Sequence, residues 1–71
     1  MFTLKIKTDG SAFCDPSTGE KDKSFEMLEL ARILKETSDY LFENAMISRR
    51  NVEFKALFDI NGNKVGEIRL K

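Results

Sequence analysis

The chain is expected to fold as a small α+β domain of order β-α-β-β, with one helix packed on a three-stranded, mainly antiparallel sheet. Three observations predict this. Residues 52–70 alternate apolar and polar on both sides of Asn61-Gly62-Asn63, the pattern of a β-hairpin. Residues 2–7 alternate in the same way and read as a half-buried strand. Between them, residues 24–46 repeat apolar side chains at helical spacing.

In the first strand Phe2, Leu4 and Ile6 share one face, and Thr3, Lys5 and Lys7 share the other. Thr8-Asp9-Gly10 ends it. Ser11 to Cys14 is expected to extend the edge briefly before Asp15-Pro16-Ser17-Thr18-Gly19, a strong turn cluster, and residues 15–23 form a solvated loop.

Ser24 is the expected N-cap of the helix, with Glu26 in the first turn, where an acidic group favours the helix dipole. At 100° per residue, Met27, Leu30, Ala31, Leu34, Ser38, Leu41 and Ala45 form one stripe, with Phe42 at its edge, and this stripe is expected to face the sheet. Glu26, Glu29, Arg32, Lys35, Glu36, Asp39 and Glu43 fall outside it. Arg32 is spaced to meet Glu29 and Glu36, and Lys35 to meet Asp39. Ile33 and Tyr40 lie together on one flank.

The hairpin has two candidate loops. A two-residue Asn61-Gly62 turn scrambles the faces. A three-residue loop, Asn61-Gly62-Asn63, pairs Phe54 with Leu70, Ala56 with Ile68 and Phe58 with Gly66, so every apolar residue of the alternation points inward and Phe58 covers the bare backbone of Gly66. Asn63 then takes the left-handed conformation. With the last strand central, all pairs are antiparallel and the crossover is right-handed; order 1-2-3, with the first strand parallel to the second, is the alternative.

Composition limits the function classes. Residues 1–71 make one domain near the size below which a core needs help from metals, disulfides or self-association. Hydrophobic content of 41% and charged content of 34% are those of a folded chain. Twelve basic residues balance twelve acidic ones, which argues against a dedicated polyanion binder. No uninterrupted apolar run exceeds three residues, so no membrane span is expected, and the first residues lack the apolar core of a secretory signal. Cys14 is the single cysteine, which excludes an internal disulfide and points to a cytoplasmic protein.

No catalytic constellation emerges, and the expectation is a non-enzymatic protein with no catalytic residue, cofactor or metal site. Histidine, the commonest general base and metal ligand, is absent. Cys14 has no activating base beside it in sequence and reads as a small apolar residue next to Phe13. Asp9, Asp15, Glu20 and Asp22 do not match the spacing of a calcium loop, and Thr18-Gly19-Glu20-Lys21 lacks the spacing of a phosphate loop.

Interaction remains. In the expected register the open sheet face carries Thr3, Lys5, Lys7, Glu53, Lys55, Leu57, Asp59, Val65, Glu67, Arg69 and Lys71, five basic against three acidic residues, whereas the outer helix carries two basic against five acidic. Leu57 and Val65 are neighbours on that face, and Ile33 and Tyr40 share the helix flank; either pair is a seed for a protein contact. Lys5, Lys7, Lys55 and Arg69, with Arg49-Arg50, are the candidate surface for nucleic acid. In this register Phe2, Phe54 and Phe58 point into the core and leave no aromatic for base stacking, which weighs against nucleic acid.

Thr8-Asp9, Ala12-Phe13, Asp15-Pro16 with Thr18-Gly19-Glu20, Glu29 with Ala31 to Glu36, and Asp59 to Gly66 together resemble a family of short, uncharacterised proteins encoded in phages and prophages of Gram-positive bacteria. The resemblance covers most of the chain and departs from the family between about Asn44 and Lys55, which is longer here. It carries no catalytic residues over. It implies a phage origin and an accessory role inside a bacterial host cell, where such proteins bind and block or redirect a host or defence protein. The expected function is therefore protein–protein interaction with a bacterial host protein, with self-association as a further option and nucleic-acid binding as the alternative.

Overall fold

A computed structural model describes residues 1–70, in the order β1 (Phe2–Ile6), a 3-10 turn (Ser11–Phe13), α1 (Lys23–Met46), β2 (Phe54–Phe58) and β3 (Lys64–Leu70). Lys71, assigned above to the open sheet face, lies outside the described residues. The three strands form one antiparallel sheet of order β1-β3-β2, with α1 on one side. The last strand is central, the first of the two orders open from the sequence.

β1 meets β3 with Phe2 opposite Leu70, Leu4 opposite Ile68 and Ile6 opposite Gly66. These residues share the helix-facing side, because directly opposed residues in an antiparallel pair point the same way. The β2–β3 register differs from the expected one. Phe54 lies opposite Arg69, Lys55 opposite Ile68, Ala56 opposite Glu67 and Leu57 opposite Gly66; the ladder then shifts, so that Phe58 meets Lys64 and Val65 is left over as a bulge. Lys55 and Leu57 therefore face the helix, and Phe54 and Ala56 face solvent. A slip of one residue exchanges the faces.

The loop explains the slip. It has three residues, but they are Ile60-Asn61-Gly62, closed by Asp59 and Asn63. The Asp59 N–H donates to the Asn63 carbonyl (2.9 Å) and Gly62 N–H donates to the Asp59 carbonyl (3.0 Å). The Asp59 carboxylate accepts from the N–H groups of Asn61 and Asn63, both at 2.9 Å. Gly62, at φ +84°, takes the left-handed position expected of Asn63, and glycine does so with less strain than asparagine.

The core consists of Phe13, Ile33, Leu57 and Ile68, ringed by Ile6, Ala12, Leu30, Leu41, Val65 and Leu70. Phe13 is the largest of its side chains and is 1% exposed. It comes from the segment expected to extend β1, which instead closes into a 3-10 turn through Phe13 N–H to Gly10 O and Cys14 N–H to Ser11 O, both 3.1 Å.

Helix α1 begins two residues earlier than expected: Asp22, not Ser24, is the N-cap, its carboxylate accepting from Ser24 N–H at 2.8 Å. The helix is also rotated. Glu29, Ile33 and Thr37 are its buried residues, one position before the expected stripe, which is a turn of about 100°. The buried Thr37 hydroxyl donates to the Ile33 carbonyl at 2.7 Å, so its burial leaves no donor unpaired. At 24 residues the helix is about 36 Å long, against about 23 Å for the seven-residue β3, so it overhangs the sheet.

Candidate interaction surfaces

Helix α1 packs on Phe13 of the 3-10 turn, and a set of polar contacts ties it to β2 and its loop. Glu29, 7% exposed, accepts from Arg32 through both carboxylate oxygens (2.7 and 2.9 Å) and from Ile60 N–H (2.8 Å). Arg32 also reaches Glu36 (2.9 Å) and the Phe58 carbonyl (3.3 Å). Lower on the helix, Lys55 Nζ lies 4.7 Å from the centroid of the Tyr40 ring and donates to the Ala56 carbonyl at 3.3 Å. The spacing of Glu29, Arg32 and Glu36 was legible in the sequence; their reach across to the hairpin was not.

The Glu29 carboxyl is held below its ordinary value by the Arg32 hydrogen bonds, against the opposing effect of burial, and by Ile60 N–H. Arg32 is correspondingly held further above its own, first by its hydrogen bond to Glu29. A carboxyl whose folded pKa is depressed contributes stability above its unfolded pKa, and that contribution is lost as pH falls through the folded one. The urea midpoint is thus expected to fall as pH drops below about 4.5. Glu29→Gln should lower stability near neutral pH by about 1–2 kcal/mol and flatten the acid slope; an unchanged slope would assign the acid sensitivity to other carboxylates.

Of the eight residues proposed as an interaction surface, the fold scatters most. Leu57 and Ile33 are each 2% exposed and belong to the core. Val65 is half-buried against that core at the bulge. Lys55 and Tyr40 pair with each other on the helix side. Neither apolar pair therefore forms an exposed seed. Lys5, Lys7 and Arg69 are exposed, Lys5 and Arg69 on the open sheet face as expected.

That open face carries the row Thr3–Arg69–Phe54 and the row Lys5–Glu67–Ala56. Phe54 is 45% exposed, with the Arg69 guanidinium 5.0 Å and Lys64 Nζ 5.8 Å from its ring centroid. The expectation that this phenylalanine points into the core is overturned, and with it part of the argument against nucleic acid. Glu67 is the lone carboxylate in these two rows. Its pKa is lowered by the hydrogen bond from Arg69 and by the charges of Arg69, Lys64 and Lys5.

The larger surface was missed. Met27, Leu34, Phe42 and Met46 are 60, 45, 63 and 64% exposed. Met27, Leu34 and Phe42, with Ala31, Ser38 and Ala45, belong to the stripe that helical periodicity assigns to the core, and Met46 extends it by one turn; only its border, Leu30 and Leu41, touches the core. The 27-31-34-38-41-45 spacing alternates four and three residues, the seam that packs against another helix.

Among the described residues no three acidic or cysteine side chains come together as a metal site, and no helix is long and apolar enough to cross a membrane. Asp15, one of the loop carboxylates considered above, instead holds the N–H and hydroxyl of Ser17 at 2.8 and 2.6 Å. An open groove of about 500 Å³ runs from Cys14 and Pro16 past Phe25 and Leu28 to Ile60. No protein-family model matches the chain, and no curated protein or solved structure does either.

Proposed function

We propose that the chain is a non-enzymatic accessory protein of phage type that works in the cytoplasm of a bacterial host cell, by holding another protein against the exposed stripe of α1. The observation that carries this reading is the stripe itself. A soluble monomer rarely exposes a contiguous apolar band, and a band with coiled-coil spacing matches an amphipathic helix of a partner. The phage origin and host setting rest on the resemblance of the Thr8-to-Gly66 pattern alone.

A second reading is favoured by Phe54. An exposed aromatic ring flanked by Arg69 and Lys64, with Lys5 on the same sheet face, is the arrangement on which a single-stranded nucleic acid stacks and is neutralised.

One experiment separates the two. A photo-crosslinking residue placed at Leu34 is expected to capture a defined protein from a bacterial lysate, and the same residue at Lys5 is not. Labelling that is absent or equal at the two positions would remove the first reading. Capture of nucleic acid from the Lys5 position, weakening as salt rises, would install the second.

A further inference from the structure

The two edges of the sheet are finished differently. In β2 the Leu70 N–H to Glu53 O bond (3.0 Å) sets the phase of the ladder, so the polar backbone groups of Phe54, Ala56 and Phe58 point outward. The Ala56 and Phe58 carbonyls are taken, by Lys55 Nζ and by Arg32, which leaves Phe54 the one outward carbonyl of β2 without a side-chain donor among the described residues. In β1 the Lys7 N–H to Val65 O bond (2.7 Å) sets the phase, and it turns the N–H and C=O groups of Phe2, Leu4 and Ile6 away from β3. Among the described residues, no side chain bonds to these groups. The strand lacks the usual protections of an edge: it contains no proline, no bulge and only one charged residue, and its first four residues are exposed.

We propose that the β1 edge is the self-association surface of the protein, pairing antiparallel with β1 of a second copy across a two-fold axis at Leu4. The sequence of the strand selects this partner. About Leu4, Phe2 lies opposite Ile6 of the other copy, Leu4 opposite Leu4, and Thr3 opposite Lys5. On the helix side every pair is apolar; on the open side no like charges meet. Centring on Lys5 instead would set lysine against lysine. The outward-pointing residues Phe2, Leu4 and Ile6 exchange both backbone bonds with Ile6, Leu4 and Phe2 of the second copy, so the edges vanish into a six-stranded sheet. The pairing also covers Phe2 and Leu4, which are 51 and 37% exposed because α1 is seated towards β2. With a net charge of zero, no long-range repulsion opposes the approach.

Sedimentation equilibrium of the full chain tests this without reference to the α1 stripe, so its failure and that of the proposed function are distinguishable. The chain, 8.2 kDa as a monomer, is expected to sediment as a dimer at roughly 100 µM, well above a micromolar dissociation constant. Leu4→Pro removes an outward N–H without touching the β3 ladder, and Leu4→Lys sets two charges face to face. Each should raise the dissociation constant at least tenfold while circular dichroism keeps the fold signal; if the proline variant unfolds, the lysine variant decides. A monomer at that concentration, a dimer that survives the variants that remain folded, or an open-ended assembly would overturn the proposal.

Discussion

Replacing Gly66 by alanine is expected to lower the stability of the chain by about 3 kcal/mol or more, a large share of what a domain of this size possesses. A Cβ built on Gly66 runs into the carbonyl oxygen of Lys5 and lies 2.9 Å from both the Lys5 carbonyl carbon and the Ile6 Cα. All three are backbone atoms of β1, so no rotamer change relieves the contact. The strands would have to separate, breaking the ladder that attaches β1 to the sheet. The expected measurement is a lower urea midpoint; a midpoint within error of the parent would mean that β1 can move away at no cost. The glycine is therefore required by the close approach of β1, and not by a covering phenylalanine on β2, whose residue opposite Gly66 is Leu57.

The second large effect distinguishes the two hairpin registers. Leu57→Ala is expected to cost about 2–5 kcal/mol, because Leu57 packs against Phe13, Ile33 and Ile68 at 2% exposure and its removal leaves a cavity. Phe54→Ala should cost under about 1 kcal/mol, since the ring is half in solvent and contributes mainly through Arg69 and Lys64. In the alternation-based register the order is reversed. Chemical denaturation of the two variants decides: a larger loss for Phe54→Ala would place the phenylalanines inside.

Both errors of phase have the same origin. Element type was legible because alternation and helical repeat are strong over residues 2–7, 24–46 and 52–70, whereas a right-handed crossover is compatible with both strand orders and does not choose between them. Which face turns inward depends on a comparison between faces, and here both compete. In β2, Phe54, Ala56 and Phe58 outnumber Leu57, so counting apolar residues selects the wrong side. The deciding terms are local: the preference of Gly62 for a left-handed backbone and the two N–H groups drawn to Asp59. In α1 the apolar residues wrap much of the circumference, from Ile33 through Leu30 and Leu34 to Phe42. Two of the three residues that are buried, Glu29 and Thr37, are polar and become acceptable inside only because Arg32, Ile60 N–H and the Ile33 carbonyl satisfy them. A polar residue with its partner on another element is invisible to periodicity.

The same blindness hid the interaction surface. Alternation and helical repeat turn Leu57 and Ile33 outward because they turn the stripes beside them inward, so each difference of phase moves an apolar set from one side of its element to the other. The useful signal was the surplus itself. A helix with more apolar circumference than a three-stranded sheet can cover must leave some of it bare.

The hairpin tip has a consequence for the motions of the molecule. Every backbone amide from Asp59 to Asn63 donates within the protein: Asp59 to Asn63, Ile60 to Glu29, and Asn61, Gly62 and Asn63 to Asp59. A glycine- and asparagine-rich tip would ordinarily fray on the nanosecond scale and admit deuterium or a protease at once. This one opens only when Asp59 lets go of its own loop and the helix lets go of Ile60. Exchange at Ile60 is thereby tied to the release of its bond to Glu29 on α1, and the part of the chain that looks loosest fastens the helix to the sheet.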